Sequence, residues 1–426
     1  MATNELLARR QRLLGKNISL FYENPVHIVR GQGVWLWDAE GCKYLDCYNN
    51  VPHVGHCHPA VVEAICKQAA TLNTHTRYLH NGILDYVERL VATFEPPLST
   101  AILTCTGSEA NDIALRMAQA VTGKTGIIAT DSTYHGNTSA VSQLSTRMPP
   151  IGGHLDHIRH VPAPDSLRPE SGNGAGTAAG FADNTRRAIE ALQQSPHGFS
   201  ALILCPYFAN EGFPDLPAGF LDETVLAVRE AGGIVIADEV QPGFGRTGGH
   251  MWGHQRIGLT PDVVTMGKPM GNGHPVAGVV ASQEIMSEFR GAFRYFNTFG
   301  GNPVSCAAAA AVLNVLEAED LLTNAASVGA YTRAGLERLA ERHPCLGDVR
   351  GHGFFFGTEV VTDRETMTPD PGRAGQIVDA MREEGVLMGK TGMHGNTLKI
   401  RPPMPFSNAN ADLMLETLGR ILDSLE

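Results

Sequence analysis

The chain has 426 residues, of which 43% are hydrophobic and 18% are charged, and its formal net charge is −11. This length predicts two domains, because one hydrophobic core seldom serves so long a chain. The acidic balance argues against nucleic acid or an anionic membrane as the main partner, although a small anionic ligand would respond to the local field instead.

The compartment is predicted from the start of the chain and from its cysteines. Residues 1–16 are polar and basic and lack the apolar stretch of a secretory signal, and the apolar stretch 306–316 is too short to span a bilayer. Eight cysteines in a chain of this length predict no disulfide framework, and they lack the paired spacing of a zinc site. We therefore expect a cytoplasmic protein without a metal site.

Short apolar segments alternate with longer helical ones through the middle of the chain. Predicted strands are 101–105, 126–130, 201–205, 234–238, 263–266 and 276–281. Predicted helices between them are 108–121, 183–194 and 221–231. This alternation predicts an α/β domain with a mostly parallel sheet and helices on both faces. Ligands bind such sheets at the carboxyl ends of the strands.

The character of the chain changes near Ser305, where a long helix is followed by the β-rich stretch 351–361, a strand at 398–402 and a closing helix at 408–425. We predict an N-terminal segment (1–55) that packs on a small C-terminal α+β domain (305–426), with a large ligand-binding domain (56–304) between them. Residues 163–180 are rich in Pro, Gly, Ser and Ala and predict a long surface loop.

Two charged residues stand at predicted strand ends. Lys268 follows the strand 263–266 and opens a glycine-rich turn, and Asp238 ends the preceding strand. Pyridoxal phosphate (PLP) needs such a pair, because an amine forms a Schiff base with its aldehyde and a carboxylate holds its pyridine nitrogen protonated. Taken singly, the two residues would be an ordinary surface lysine and a helix-capping aspartate.

Other segments offer contacts to the same cofactor. In Thr106-Gly-Ser-Glu-Ala-Asn111, the N–H groups of Gly107 and Ser108 would hold a phosphate where a helix begins, although an ordinary N-cap has the same composition. Tyr134 offers an aromatic face, and Thr298 lies in a tight turn. The run Gly243-Phe-Gly-Arg-Thr-Gly248 has a dinucleotide-type glycine pattern, but no helix is expected after it, so that fold is not predicted.

Together these segments resemble the class III (subgroup II) aminotransferases, which are PLP-dependent enzymes of fold type I. The resemblance covers essentially the whole chain and rests on Gly55-His-Cys-His-Pro59, the segment 106–111, Tyr134-His-Gly136, the segment 238–248, Met266-Gly-Lys-Pro-Met-Gly-Asn-Gly273 and Asn297-Thr-Phe-Gly-Gly-Asn-Pro303. It implies a large domain with a mostly parallel, seven-stranded sheet and a smaller α+β C-terminal domain.

The resemblance also implies a role for each matching position. Lys268 would bind the cofactor aldehyde, and Asp238 would lie beside the pyridine nitrogen. The remaining cofactor contacts would be Tyr134 and Val240 on the ring faces, Gln241 near the ring hydroxyl, Gly107 and Ser108 on the phosphate, and Thr298 on the phosphate of the neighbouring subunit. A residue shared in this way implies a homodimer.

The same cofactor chemistry serves two reactions. Lys268, once released, is the natural base, because a cationic cofactor beside it keeps its amine neutral. Reprotonation at the cofactor gives transamination, whereas loss of a leaving group from the adjacent carbon gives β-elimination. The segments 49–59, 72–80 and 396–404 resemble the ethanolamine-phosphate and phosphohydroxylysine phospho-lyase branch of the family.

A departure from the transaminase pattern favours elimination. Many class III transaminases have a glutamate that pairs with the substrate-binding arginine when a substrate with an uncharged side chain enters the pocket. Here Cys205 replaces the first glutamate of that segment, and Asn210 stands at the receiving position, although Glu211 follows directly and could take the role. An arginine without this partner, Arg401, would be a permanent anion receptor.

The predicted ligands of a substrate phosphate are Arg401, Arg77 and Lys390, since arginine binds phosphate through paired hydrogen bonds. The sequence therefore predicts a phospho-lyase that converts O-phosphoethanolamine or a similar phosphorylated amine to aldehyde, ammonia and phosphate. The alternative is an ω-aminotransferase that transfers an amino group from a primary amine or amino acid to a 2-oxo acid. A non-enzymatic relative is disfavoured, because Lys268 and Asp238 are both present.

Overall fold

A computed structural model describes residues 3–16, 18 and 20–425. The strands in these residues are β1 (Ile28–Gln32), β2 (Trp35–Asp38), β3 (Lys43–Asp46), β4 (Thr100–Thr104), β5 (Gly126–Thr130), β6 (Ile158–Val161), β7 (Phe199–Leu204), β8 (Ile234–Asp238), β9 (Val263–Met266), β10 (Ala277–Ala281), β11 (Leu346–His352), β12 (Phe355–Asp363), β13 (Thr368–Pro369), β14 (Val386–Leu387), β15 (Gly389–Thr391) and β16 (Thr397–Ile400).

The helices are α1 (Thr3–Leu14), α2 (Pro59–Ala69), α3 (Asn81–Val91), α4 (Gly107–Thr122), α5 (Ser171–Gly174), α6 (Ala178–Gln193), α7 (Asp222–Glu230), α8 (Gly253–Ile257), α9 (Gln283–Ala292), α10 (Pro303–Ala318), α11 (Leu321–Arg342), α12 (Pro371–Glu383) and α13 (Asn408–Leu425). Two 3₁₀ turns cover Val141–Leu144 and Lys268–Gly271. Among the described residues, no helix combines the length and the apolar character needed to cross a membrane.

A seven-stranded sheet forms the centre of the molecule, in the order β4-β10-β9-β8-β7-β5-β6. Its strands are parallel except β10, which runs antiparallel to both β4 and β9. Successive residues of β8 face opposite hydrophobic clusters, Ile236 on one side and Val235 on the other. Because helices cover both faces, the strands are continuous apolar runs. The predicted α/β fold of type I is confirmed.

Two details of the large domain differ from the sequence-based expectation. Strand β6 was not predicted, because Arg159 and His160 make it polar; it lies at the edge of the sheet, where these two side chains are only half-buried. Helix α6 begins inside the predicted surface loop, because the Thr177 hydroxyl accepts a hydrogen bond from Gly180 N at 3.1 Å and caps the helix there.

The N-terminal and C-terminal parts of the chain share a sheet, ordered β1-β2-β3-β14, in which β3 and β14 pair in parallel. A second C-terminal sheet, ordered β11-β12-β16-β15, contains the predicted β-rich stretch as the antiparallel pair β11–β12. Helix α10 begins at Pro303, just before the predicted domain boundary, and packs against α2 and α3. The strand β16 leads directly to Arg401.

Candidate active site

A cavity of about 180 Å³ opens at the carboxyl ends of β8 and β9, where α4 begins. Its lining residues are Gly107, Ser108, Tyr134, His135, Gly136, Cys205, Asp238, Val240, Gln241 and Lys268. It thus brings together seven of the side chains and backbone positions predicted from the sequence. A larger cavity of about 410 Å³, bordered by Tyr207, Arg256 and His352, contains none of them.

Lys268 projects into this cavity from the turn after β9. Protein atoms surround its side chain, but the cavity leaves the amine accessible. Its backbone φ of 24° lies in a region that residues with a side chain rarely adopt, which indicates that the surrounding structure enforces the conformation. Burial, assisted by the positive charge of Arg401, lowers the pKa of Lys268 to about 8. Neutral amine, the form that acts as nucleophile or base, is therefore well populated in mildly alkaline solution.

Asp238 is held by a buried hydrogen-bond network. Its Oδ2 accepts from His135 Nδ1 at 2.6 Å and from Asn111 Nδ2 at 2.9 Å, and its Oδ1 accepts from Val240 N at 3.0 Å. Asn111 Oδ1 in turn accepts from the hydroxyl of Thr265, on the strand that leads to Lys268. The network fixes the carboxylate at the cavity wall and connects it to the lysine-bearing strand.

The start of α4 is a compact helix N-terminus suited to an anion. Thr106 and Glu109 make a reciprocal capping box, so the helix begins sharply at Gly107. A Cβ on Gly107 would lie 2.9 Å from a Val240 methyl, and one on Gly136 would lie 2.5 Å from Ser108 Oγ, so neither position has room for a side chain. The first N–H groups of a helix attract anions such as phosphate.

The lining residues fit PLP group by group. The Lys268 amine suits the aldehyde, the Asp238 carboxylate suits the pyridine nitrogen, and the start of α4 suits the phosphate. Tyr134 and Val240, which also line the cavity, are an aromatic and a branched apolar surface suited to a flat ring. The Tyr134 hydroxyl donates to Asn137 Oδ1 at 2.6 Å, which orients the phenol.

Next to this cavity lies a pair of buried cations. Arg401 Nη1 donates to Gln241 Oε1 at 2.7 Å, and Lys399 Nζ donates to the same oxygen at 2.9 Å. The two residues are two positions apart at the end of β16, so their side chains share one face. Both are about 95% buried, with 5% of their surface exposed. The two side chains thus share one neutral side-chain oxygen, and a bound anion would satisfy them better.

Arg401 is also held from the N-terminal part of the chain. Its backbone N–H donates to Cys47 O at 2.7 Å, and its Nε donates to Tyr48 O at 3.1 Å. Its guanidinium carbon lies 5.2 Å from the centroid of the Tyr48 ring. Shortly after it, Met404 N donates to His53 O at 2.7 Å. The arginine is therefore fixed by backbone contacts on both sides.

The other predicted phosphate ligands lie elsewhere. Lys390 Nζ donates to Pro371 O at 3.0 Å and borders a separate groove, so it does not join Arg401. Arg77 is exposed, with its guanidinium 3.9 Å from the centroid of the Phe296 ring. Thr298 is also exposed and does not line the cavity of its own chain.

Neither candidate partner for Arg401 from the transaminase pattern contacts it. Glu211 is buried, and its carboxyl accepts from the Thr130 hydroxyl at 2.8 Å and from Asn210 N at 3.0 Å. Burial raises the pKa of Glu211, and the Thr130 hydrogen bond opposes that shift. Arg401 therefore rests on Gln241 and the backbone instead of on a carboxylate.

Sequence reasoning missed Lys399, His135 and Asn111. His135 and Asn111 lie within segments that carry the family resemblance, but only the folded chain shows that both donate hydrogen bonds to Asp238. For Lys399 a local signal existed, because it interrupts the apolar run at the end of β16, where a buried lysine is rare unless it has a partner.

Comparisons with known proteins identify the family of the chain. The model of the class III aminotransferase family matches residues 21–422. An alanine–glyoxylate aminotransferase 2-like protein of Drosophila melanogaster is 40% identical over 429 residues, covering 97% of this chain and 86% of the relative. The ethanolamine-phosphate phospho-lyase homolog 1 of Caenorhabditis elegans is 37% identical over 435 residues, covering 98% of this chain and 93% of the relative.

Among solved structures, a phospholyase from Arthrobacter in complex with phosphoethanolamine is 44% identical and superposes with a TM-score of 0.95, covering 99% of this chain and 100% of that one. The chain therefore belongs to the class III aminotransferase family, whose members are PLP-dependent enzymes of fold type I.

Proposed function

We propose that the protein is a PLP-dependent phospho-lyase that removes phosphate from O-phosphoethanolamine or a similar phosphorylated primary amine, giving aldehyde, ammonia and phosphate. The observation that carries this proposal is the cation pair Lys399–Arg401, next to Lys268. In the part of the chain that the structure describes, no carboxylate forms an ion pair with either cation.

The charge balance favours a phosphorylated substrate. Two buried basic groups without a carboxylate at ion-pair distance are costly to keep charged, and a phosphate dianion would offset both charges at once. A substrate with an uncharged far end would leave them unpaired. The Arthrobacter relative, whose structure holds phosphoethanolamine, supports the same substrate class.

The residues of the cavity would divide the work as follows. PLP, when bound, would supply an aldehyde for Lys268 and a ring that accepts electrons. Asp238, oriented by His135 and Asn111, would hold a proton on the pyridine nitrogen. The start of α4 would hold the cofactor phosphate. Once the substrate amine has displaced it, the Lys268 amine would take a proton from the amine-bearing carbon, and its lowered pKa suits it to this task.

We also propose that the protein works as a homodimer in which Thr298 completes the partner's cofactor site. Phe299, next to Thr298, is 70% exposed, and Leu79 is 98% exposed, in a segment whose His75 and Arg77 pack on Phe296. Exposed apolar groups of this size support an interface with a second copy. Sedimentation velocity of the PLP-loaded protein tests this proposal, and a stable monomer with full activity would contradict it.

Arg401→Ala should weaken binding of the substrate. We expect KM for O-phosphoethanolamine to rise by about 30-fold or more, because truncating one member of a buried charge pair costs about 2–5 kcal/mol. Steady-state kinetics of phosphate release measures this change. Arg186→Ala is the matched control, since Arg186 is a partly exposed residue of α6 in ion pairs with Asp183 and Glu223. Equal KM values for the two variants would remove Arg401 from the phosphate site.

Phosphate release without an oxo acid is the direct test of the function. Purified protein loaded with PLP receives O-phosphoethanolamine, and phosphate and ammonia are measured over many turnovers. Sustained and equal release of both products is expected. Absence of phosphate, together with slow conversion of the cofactor to its amine form, would instead identify the alternative, an ω-aminotransferase. The name of the Drosophila relative also describes an aminotransferase.

A further inference from the structure

A role as a counter-charge to the substrate phosphate explains the surroundings of Lys399 only in part. Its two cross-strand neighbours are both glycines, Gly357 on β12 and Gly389 on β15. A Cβ on Gly357 would lie 2.7 Å from the Phe213 ring, and one on Gly389 would lie 2.5 Å from the Tyr48 ring. The missing side chains thus make room for two aromatic rings on the face of the sheet that carries Lys399, whose Nζ donates to Gln241, a residue of the cavity wall.

The ammonium group of Lys399 is poorly satisfied. It carries three protons, and in the described residues its one hydrogen-bond acceptor is Gln241 Oε1. Its Nζ lies 5.7 Å from the centroid of the Phe213 ring. The ionisable groups whose charges act on it most strongly are Arg401, Lys268, Cys205 and Arg147. Since three of these four groups are cationic, a proton on Lys399 is held weakly until an anion arrives.

The two cations of the pair differ in what they can do. An arginine keeps its proton at any accessible pH, whereas a buried lysine can lose one. Burial, reinforced by Arg401 and Lys268, lowers the pKa of Lys399 well below its ordinary value. A bound phosphate dianion would counter these effects and favour the charged ammonium. Arg401 is therefore suited to hold the phosphate, and Lys399 is suited to give it a proton.

The proposed reaction needs such a donor. A phosphate ester that leaves without a proton departs as the phosphate trianion, which is a poor leaving group. We propose that Lys399 is a catalytic acid that protonates the ester oxygen of the substrate phosphate as the carbon–oxygen bond breaks. This inference rests on the phospho-lyase function proposed above and adds a second lysine, opposite in role to Lys268.

The step balances as follows. Lys268 takes a proton from the amine-bearing carbon, and the electron pair left behind forms a double bond to the next carbon. The carbon–oxygen bond breaks, its electron pair stays on the ester oxygen, and Lys399 gives that oxygen a proton, so hydrogen phosphate departs. The remaining vinylamine takes up water and yields aldehyde and ammonia. Lys268 passes its proton to solvent and Lys399 regains one from solvent, so both lysines return to their starting states.

Two variants and two leaving groups test the proposal. Lys399→Met removes the proton, and Lys399→Arg keeps the charge but not a donor that can release one. The substrates are O-phosphoethanolamine and 2-aminoethyl sulfate, whose sulfate leaves without needing a proton. For both variants we expect kcat for phosphate release to fall by about 10²-fold, the usual size of a general-acid contribution. Sulfate release should fall far less with Lys399→Arg.

A second readout follows the step before bond cleavage. In deuterated water, nuclear magnetic resonance measures exchange of hydrogen at the amine-bearing carbon of O-phosphoethanolamine. This exchange depends on Lys268, and we expect Lys399→Arg to retain it while phosphate release falls. If exchange and release fall together, Lys399 only positions the substrate and the acid role is wrong. Unchanged release in both variants would also overturn it.

The wild-type protein separates this proposal from the function on which it rests. Failure of wild-type protein to release phosphate would contradict the phospho-lyase itself. Normal wild-type release with normal release by the Lys399 variants would contradict only the acid role. Arg401→Gln serves as the comparison, because loss of a holding residue should reduce release of phosphate and of sulfate alike.

Discussion

Lys268→Ala is expected to abolish turnover, with kcat lower by about 10⁴-fold or more, because one side chain supplies both the covalent attachment and the general base. The protein should stay folded, since the side chain projects into a cavity and contributes little to the core. PLP should still bind without a covalent bond. Phosphate release measures turnover, and borohydride reduction followed by mass spectrometry detects whether the cofactor is attached to the chain.

Lys124→Ala is the matched control for this change. Lys124 is an exposed lysine just before β5, at the opposite edge of the sheet from the cavity. It should keep normal turnover and covalent labelling. Normal turnover by Lys268→Ala would contradict the whole assignment of the site.

Asp238→Asn should cause the next largest loss, with kcat lower by about 10³-fold, a size seen when one oriented electrostatic group is removed from a preorganised site. The change keeps the shape of the side chain but removes the charge that stabilises a protonated pyridine nitrogen. It also places an amide next to the donors His135 Nδ1 and Asn111 Nδ2. Steady-state kinetics and the absorption spectrum of bound PLP measure the effect.

Asp262→Asn provides the comparison for Asp238→Asn. Asp262 precedes β9 at the amino edge of the sheet, where its Oδ2 accepts from Val235 N at 2.8 Å, a bond that an asparagine oxygen can keep. Its kcat should stay within about twofold, as surface changes rarely matter much. Similar kcat values in the two variants would mean that Asp238 does not act on the cofactor ring.

The residues that the sequence predicted to lie together, and that line one cavity in the structure, stand at or just after the ends of strands. Asp238 ends one apolar strand of the sheet, Lys268 follows closely on the next, and Gly107 begins a helix after another strand. The fold rules alone therefore bring them to one edge. Tyr134 needed the family resemblance, because an aromatic residue in a loop has no such rule. The strands carrying the first two residues have the predicted bounds.

The sequence alone could not show which of Lys390 and Lys399 faces the site. In the antiparallel pair β15–β16, Lys390 lies opposite Leu398, and Gly389 lies opposite Lys399. Side chains alternate between the two faces of a sheet, so the two lysines point to opposite faces. This register depends on pairing between separate strands, which local patterns do not reveal. Without this register, the sequence predicted the exposed Lys390 as a phosphate ligand in place of the buried Lys399.

The contacts of Arg401 have a consequence for the energetics of binding. Its backbone and Nε are bonded to Cys47 and Tyr48, and its Nη1 is bonded to Gln241, before any ligand is present. Ordering a free, long side chain costs about 0.5–1.5 kcal/mol when a ligand has to do it. Here the arginine side chain is already ordered when the N-terminal segment packs on β16 during folding. An incoming anion therefore meets a receptor that is rigid in advance, and more of its interaction energy remains as affinity.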